Sequence, residues 1–445
     1  MRLHSMKIKY LILCLSLLTP LPVMAERLSL VQAYQQALQY DALLNAARAD
    51  NTAQQEEKEK AFSSFLPQAK FFINRGPSRT ESEIQGVTRP TARYDSQNYN
   101  VSVRQSIYNK AIYADYDKSK SQVEKSNVLL GKENLSLMSR VTGAYLDILL
   151  ATENIRYSEA QKASIEAQLE QANKRLKHGV GTVTEISEAQ ANLDDAIAKS
   201  IEWTNNLEYV NRSLENLIGT YPTKLSMLDT SKLPLIPPKP DNVEFWISSA
   251  LVKNPDIIAA QQDVQIGTFE IEKSGAGHLP TLDLVASRAN TFSDTNYTIG
   301  QKYRTDSLMF QFNMPLYAGG YVKAAVRQSV AKLAQAREVL NDKTRTASIE
   351  VRKYFNAIVN GISKIQAYEQ LVASREMALI GTQKGFGAGI RTNVEVLNAQ
   401  EKLFSAKRDL LKERYQLIFN RIQLKLTAGV LDQSDIHETD TWLSL

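Results

Sequence analysis

Apolar and small residues between Ala111 and about Lys177 recur at alternating steps of four and three. They run through Leu137, Val141, Ala144, Ile148, Ala151 and Ile155, and again through Ile165, Leu169, Ala172 and Leu176. This is coiled-coil spacing. It predicts one helix of roughly 67 residues, about 100 Å at 1.5 Å per residue, too long for a globular core. The change of phase between the two runs is a stutter, so the supercoil is not uniform. The pattern returns from Tyr321 to about Phe386, with Ile358, Ile362 and Ile365 on one seam. Shorter helical patterns run from Leu28 to about Phe62, with a break near Tyr40-Asp41, and from Val183 to about Ile218. Two more run from Val243 to about Lys273 and from Asn393 to about Ala428. Each is roughly half the long helix, so two stacked end to end span the same height. These lengths predict a tall cylinder in which unbroken helices alternate with stacked half-helices.

Period-two alternation takes over after Leu66-Pro67 and again after Leu279-Pro280. Tyr99, Val101, Val103 and Ile107 take one face, and Asn98, Asn100, Ser102, Arg104 and Ser106 the other. Leu308, Phe310, Phe312, Met314 and Leu316 likewise oppose Gln311 and Asn313. With the less cleanly patterned Gln68–Arg75 and Thr281–Arg288 leading in, this predicts four strands of roughly 8 to 12 residues, the length of a tilted membrane strand. Polar connections are expected over about Gly76–Arg93 and Ala289–Thr305. Alternation by itself also fits a soluble sandwich with one wet face. Four strands cannot close a membrane barrel, since small barrels have about eight, so a membrane reading requires several copies of the chain.

The stretch Gly179 to Gln190 returns about 210 residues later as Gly389 to Gln400, sharing Gly, Thr, Glu, Ala and Gln without a gap. A second match, Ala37-Leu38, Asp41 and Leu66-Pro67 against Ala250-Leu251, Asn254 and Leu279-Pro280, has its own constant offset. The chain is therefore read as a leader (1–25), a first repeat (26–220), an equatorial linker (221–242), a second repeat (243–430) and a tail (431–445). Prolines are absent between Thr91 and Tyr221 and after Pro315, and crowd into the linker.

Composition narrows the classes. Arg2, His4, Lys7 and Lys9 precede an apolar run from Tyr10 to Leu18 and small residues up to Ala25, which predicts a secretory signal peptide. The run is about half of what a spanning helix needs. Its removal takes away Cys14, the only cysteine, and three positive charges from a formal net charge of +5. Neither disulfides nor thiolate ligands are then expected, and the near-balanced charge gives no reason to expect nucleic acid. No later stretch reads as a transmembrane helix, so any membrane crossing must be made by strands. His178, His278 and His437 lack metal-ligand spacing, and neither a phosphate loop nor a Ser/His/Asp arrangement occurs. Neither catalytic residue nor metal nor cofactor is expected.

Leader, paired long and half-length helices, two strand pairs, two repeats and Gly-x-x-Thr-x-x-Glu-[Ile/Val] at both helical turns together resemble the TolC-type outer-membrane channels of Gram-negative bacteria. The resemblance covers essentially the whole mature chain. It implies a mainly α protein with membrane β: a homotrimer in which each chain gives four strands to a β-barrel in outer-membrane lipid, above a long coiled-coil α-helical barrel in the periplasm. It further implies export of cargo received from an inner-membrane ABC or other transporter through a periplasmic adaptor. Gly277-His278-Leu279-Pro280-Thr281-Leu282-Asp283-Leu284 resembles members serving type I protein secretion more than multidrug efflux members. A soluble periplasmic coiled-coil adaptor is the alternative of another class, although the duplicated plan lacks the compact β-domain of such proteins.

Carried onto this sequence, the resemblance places a constriction at Thr184 and Glu185 in the first copy and at Phe386, Arg391, Glu395 and Asn398 in the second. Asn398 stands where an acidic residue often lies, so a less negative constriction is expected. The turns Gly179-Val180-Gly181 and Gly389-Ile390 resemble the adaptor-contacting tip. The residues by themselves say something else: Thr182-x-x-Glu185 and Thr392-x-x-Glu395 are capping boxes, with Gly179 and Gly389 ending the preceding helices.

Overall fold

The computed structural model describes residues 27–443; the expected leader, with Cys14, lies outside them. In chain order the described elements are α1 (Leu30–Tyr40), α2 (Ala42–Ser63), β1 (Gln68–Thr80), β2 (Glu83–Ile84), β3 (Val87–Thr88), β4 (Ala92–Tyr108), α3 (Lys110–Lys177), α4 (Val183–Ile218), α5 (Val243–Lys253), α6 (Pro255–Gly275), β5 (Thr281–Phe292), β6 (Lys302–Asn313), α7 (Tyr321–Gly387), α8 (Asn393–Thr427) and α9 (Gln433–Thr441). The long helices α3 and α7 have 68 and 67 residues, each about 100 Å long. On the strand side of the molecule the helices lie in the order α2, α3, α6, α7, and on the side of the helical turns in the order α4, α3, α8, α7.

The half-helices meet at mid-height. A side chain on Gly219, the left-handed cap of α4, would run into the Tyr40 ring at 2.5 Å, so α4 ends against the break between α1 and α2. In the second repeat a Cβ on Gly429, just past α8, would sit 2.3 Å from the Lys253 carbonyl oxygen, beside the break between α5 and α6. Asp41 and Asn254 occupy the two breaks and cap the helices that follow. Asp41 accepts from the Leu44 amide at 2.7 Å and from both Arg140 Nη atoms at 2.8 and 3.0 Å. Asn254 accepts from the Asp256 and Ile257 amides and donates to the Thr427 carbonyl at 2.8 Å. Burial pushes the Asp41 carboxyl up, but the Arg140 guanidinium and the Leu44 amide more than offset it and hold the group below its ordinary value.

The main core lies at this level. Tyr145 on α3 is fully buried, its hydroxyl within reach of the Leu28 and Ser226 carbonyls at 2.8 and 3.1 Å. The tail belongs to the same belt. It forms α9, capped by Asp432, and Asp440 accepts from the Leu30 amide at 2.8 Å. Toward the strands, the two repeats are joined by antiparallel ion pairs between α3 and α6: Lys118–Glu270 at 3.1 Å, Lys125–Asp263 at 2.7 Å and Lys132–Asp256 at 2.6 Å. Both series step by seven, so the charges flank the seam as heptad flanking positions do.

The strands form one sheet in the order β1-β4-β5-β6, antiparallel throughout, with both edges unpaired in the chain. Partners across a ladder share a face. The register therefore joins Phe71, Ile73, Tyr99, Val101, Val103, Leu284, Leu308 and Phe310 on one face, and sets Lys70, Asn74, Asn98, Asn100, Ser102, Ser287 and Ser307 on the other. The apolar face is bare, with Leu308 and Phe310 each 72% exposed in the single chain. Among the described residues no second layer covers it, which overturns the sandwich alternative.

The hairpins differ from expectation in length. β1 continues to Thr80, β4 begins at Ala92 and the short β2 and β3 pair between them, so most of the expected Gly76–Arg93 connection is strand; the second connection shrinks to the residues between Phe292 and Lys302. Both faces are polar toward the tips, which hides the period of two from an apolar count. Tyr94 and Tyr303 fall on the polar face, while Tyr99 and Tyr108 share the apolar one.

At the meeting point, Gly429→Ala combines a φ of +70° with backbone overlap. It should lower stability by at least about 1 kcal/mol. Gly131→Ala, in open space within α3, should raise it by about 0.5–1 kcal/mol. Thermal unfolding followed by circular dichroism separates the two.

Candidate functional site

The two helical turns are built alike. α3 ends when Gly179 takes φ +75°, letting the Gly179 amide reach Leu176 O at 2.9 Å and the Val180 amide reach Arg175 O at 3.0 Å. α7 ends identically: Gly389 takes φ +77°, its amide bonds Phe386 O at 3.0 Å, and the Ile390 amide bonds Gly385 O at 2.9 Å. Each is a Schellman motif, satisfying carbonyls the helix leaves free. The apolar residue that follows usually packs back on the helix. Here Val180 is 66% and Ile390 81% exposed, so both tips offer bare apolar side chains.

The next helices start on reciprocal caps. Thr182 accepts from the Glu185 amide at 3.2 Å, and Glu185 accepts from the Thr182 amide at 3.3 Å. In the second copy the Thr392 amide donates to Glu395 at 2.7 Å and the Glu395 amide to Thr392 at 3.3 Å, with Arg391 adding an ion pair to Glu395 at 2.6 Å. The Thr392 amide, and then the Arg391 guanidinium, hold the Glu395 carboxyl below its ordinary value. Both carboxylates expected at a constriction are thus engaged as caps. Thr184 and Asn398 are exposed.

The copies differ where a large and a small residue have changed places. In the first, Arg175 on α3 faces Gly181, whose Cβ would sit 2.8 Å from the Leu176 nitrogen and 3.1 Å from Arg175 Cβ. In the second, Gly385 stands where the repeat places Arg175, and Arg391 where it places Gly181; a Cβ on Gly385 would meet Arg391 Cγ at 2.7 Å. One guanidinium fits at each turn, from opposite sides. The exchange sets its partner: Arg391 turns to Glu395, while Arg175 lies over the Phe386 ring at 5.0 Å and so ties the first turn to the second.

Deeper in, Gln168 on α3 donates to Gln400 Oε1 at 2.6 Å, and Gln400 donates to Ser164 Oγ. Nearby, Ile165, Ala196 and Leu397 form a small separate core of α3, α4 and α8. The structure therefore brings Phe386 to the first turn through a residue the sequence reading missed. Arg175 was legible only as an Arg-for-Gly exchange at the repeat offset. Among the described residues no group of three or more His, Cys, Asp or Glu is placed to hold a metal ion, and no helix is long and apolar enough to cross a membrane.

Comparison with known proteins places this geometry. The family model described as outer membrane efflux protein matches residues 33–220 and 246–430. The chain is 31% identical over 427 residues to a proteases secretion protein, PrtF, of Dickeya chrysanthemi, covering 94% of this chain and 92% of that protein. It is 31% identical over 414 residues to the alkaline protease secretion protein AprF of Pseudomonas aeruginosa, covering 92% and 86%. A crystal structure of CusC, described in terms of folding and transmembrane channel formation, superposes with a TM-score of 0.78 at 16% identity, covering 91% and 92%.

Thr392→Ala should cost about 1 kcal/mol at the start of α8, read as faster amide hydrogen exchange from Val394 to Val396. Because the Glu395 carboxyl titrates below its ordinary value of 4.5, its protection of that turn is complete above that pH. It is lost as the pH falls through the lower folded value. Exchange followed from pH 6 down to 3 in wild type and Glu395→Gln should show this loss in wild type alone.

Proposed function

This chain belongs to the outer membrane efflux protein family, and we propose that it acts as the non-enzymatic, trimeric exit duct of a tripartite protein-secretion system. As a member of that family it is an outer-membrane channel of a Gram-negative bacterium, with its helices in the periplasm. The observation that carries the trimeric duct is the four-stranded sheet with two unpaired edges and a bare apolar face. An edge strand left open is a template for another chain, and β6 of one copy and β1 of the next run antiparallel. Three copies close a twelve-stranded barrel with no edge remaining.

Strand tilt supports closure. On β1 and β4 the continuous apolar run reaches Ile73 and Tyr99, but on β5 and β6 it ends at Ala286 and Leu308, four residues lower in the ladder, with Phe292 alone beyond it at the end of β5. At about 3.4 Å per residue, across three strand spacings of about 4.8 Å, a level apolar band requires strands inclined by about 45°. Membrane barrels have tilts of that size. The outermost helices agree: α4 leaves Ile201 and Tyr209 exposed and α7 leaves Ile349 and Met377 exposed, as surfaces awaiting another copy.

The bare Val180 and Ile390, with Gly179, Gly181 and Gly389 shaping their turns, suit contact with a periplasmic adaptor, itself coupled to an inner-membrane ABC or other transporter. Thr184, Glu185, Phe386, Arg391, Glu395 and Asn398 are proposed to line the constriction, its charge muted by the Arg391–Glu395 pair. Two protease-secretion relatives at 31% identity favour protein cargo.

In planar bilayers the purified protein should behave as a trimer with discrete conductance steps; a protein that neither trimerises nor conducts sinks the reading. Glu185→Ala with Glu395→Ala should change cation-over-anion selectivity by about twofold or more. Unchanged selectivity with faster exchange at both helix starts would leave the carboxylates as caps only. Gene deletion should remove secreted proteins from the medium; drug sensitivity without that loss would favour efflux.

A further inference from the structure

Near their tips the strands carry charge on one face only. Tipward of the apolar band, β1, β4, β5 and β6 contribute six cations, Arg75, Arg79, Arg93, Arg288, Lys302 and Arg304, and two acids, Asp95 and Asp306. The ladders put all eight on the same face as the apolar band: Arg79 lies opposite Arg93, Arg288 opposite Asp306, Arg304 opposite Asn290 in the row of Ile73 and Tyr99, and Arg75 in the row of Gln97, Phe292 and Lys302. The other face over this region is uncharged, with Asn74, Gly76, Ser78, Thr80, Tyr94 and Ser96 on the first hairpin. Had these charges served only to solubilise an aqueous rim, both faces would carry them.

Most of these cations lack a carboxylate. Arg288 pairs with Asp306 at 2.5 Å, and Arg79 pairs with Glu81. Arg304 hydrogen-bonds the Asn290 side-chain oxygen at 3.4 Å and lies within electrostatic range of Asp306, which Arg288 already holds; neither it nor Arg75, Arg93 or Lys302 forms a direct ion pair among the described residues. Two arginines directly opposite on one face of an antiparallel pair repel each other unless an anion lies between them. On three strands the charges follow the continuous apolar run directly, Arg75 after Ile73, Arg288 after Ala286 and Asp306 tipward of Leu308, while on β4 the first, Asp95, comes further beyond Tyr99. It therefore sits where hydrocarbon gives way to headgroups.

We infer that this outward belt binds the phosphate groups of an anionic glycolipid in the outer leaflet. This rests on the reading of the strands as a membrane barrel. Guanidinium groups take phosphate oxygens in pairs, and a negative leaflet attracts basic residues placed at its surface. Closure of the barrel brings β6 of one copy against β1 of the next, so cations carried by both strands, Lys302 and Arg304 on one and Arg75 and Arg79 on the other, border each seam. A glycolipid held there by its phosphates and packed by its acyl chains on Phe71, Leu308 and Phe310 would bridge the protomers.

The test compares the full-length trimer with R75Q/R93Q/K302Q/R304Q, each titrated in neutral detergent with bisphosphorylated lipid A, with the dephosphorylated lipid and with inorganic phosphate. Bound lipid is counted by native mass spectrometry. Wild type should retain the phosphorylated lipid at least tenfold better than the variant and than the dephosphorylated form, with retention falling as salt rises. Equal retention of the two lipids, equal retention by the two proteins, or full competition by millimolar inorganic phosphate overturns the inference. Conductance of both proteins in phosphatidylcholine bilayers is recorded alongside. A variant that conducts normally shows that loss of lipid is not misfolding, and a wild type that conducts without retaining lipid sinks this inference while leaving the channel intact.

Discussion

A helix of about 100 Å has no stable existence in water unless something covers its apolar stripe along the whole length. This protein meets that constraint with two half-length helices per long helix, and everything else depends on where the halves meet. Gly219 against Tyr40 and Gly429 against the Lys253 carbonyl allow chain ends to come together without a gap. Asp41 and Asn254 satisfy the amides that each fresh start exposes. The equatorial linker, α9 and the Tyr145 hydroxyl network crowd to the same level because the backbone turns there need partners. The molecule is thus clamped at its waist and extended in both directions.

From that waist the two ends face different solvents. The strands turn an apolar face outward, the reverse of a soluble sheet, and this is stable only where lipid replaces water. The turns at the other end keep a polar exterior with a few bare apolar side chains at their tips. Duplication supplies both ends twice. Local compensation then separates the copies, as when Arg175 with Gly181 is answered by Gly385 with Arg391 and the guanidinium finds an aromatic ring in one case and a carboxylate in the other.

Where the sequence was opaque, the reason is physical. α3 buries Ser119, Ser126, Ser139, Thr142, Glu153, Asn154 and Gln168 as well as its apolar seam, because it is packed by helices on several sides and small or hydrogen-bonding residues let backbones approach. A search for apolar periodicity cannot see such a face. Glu153 is itself only 5% exposed, and that burial pushes its carboxyl up, with Arg156 opposing. The strand tips escaped notice for a related reason: once neither face is apolar, alternation persists only in the charges.

The sequence alone determined the local plan. Heptad spacing set the lengths of α3 and α7, Gly179 with Thr182 and Gly389 with Thr392 set where helices stop and restart, and the offset between copies set the duplication. These depend on interactions within a few residues of the chain or on comparison along it. Only the tertiary structure decided which faces meet: the register that gathers Phe71, Val103 and Leu308 on one side of the sheet, the stacking of Arg175 on Phe386, and the alignment of Lys118, Lys125 and Lys132 with three acids on α6. Those contacts join residues far apart in sequence. Their geometry follows from how whole helices and strands pack, which no local pattern encodes.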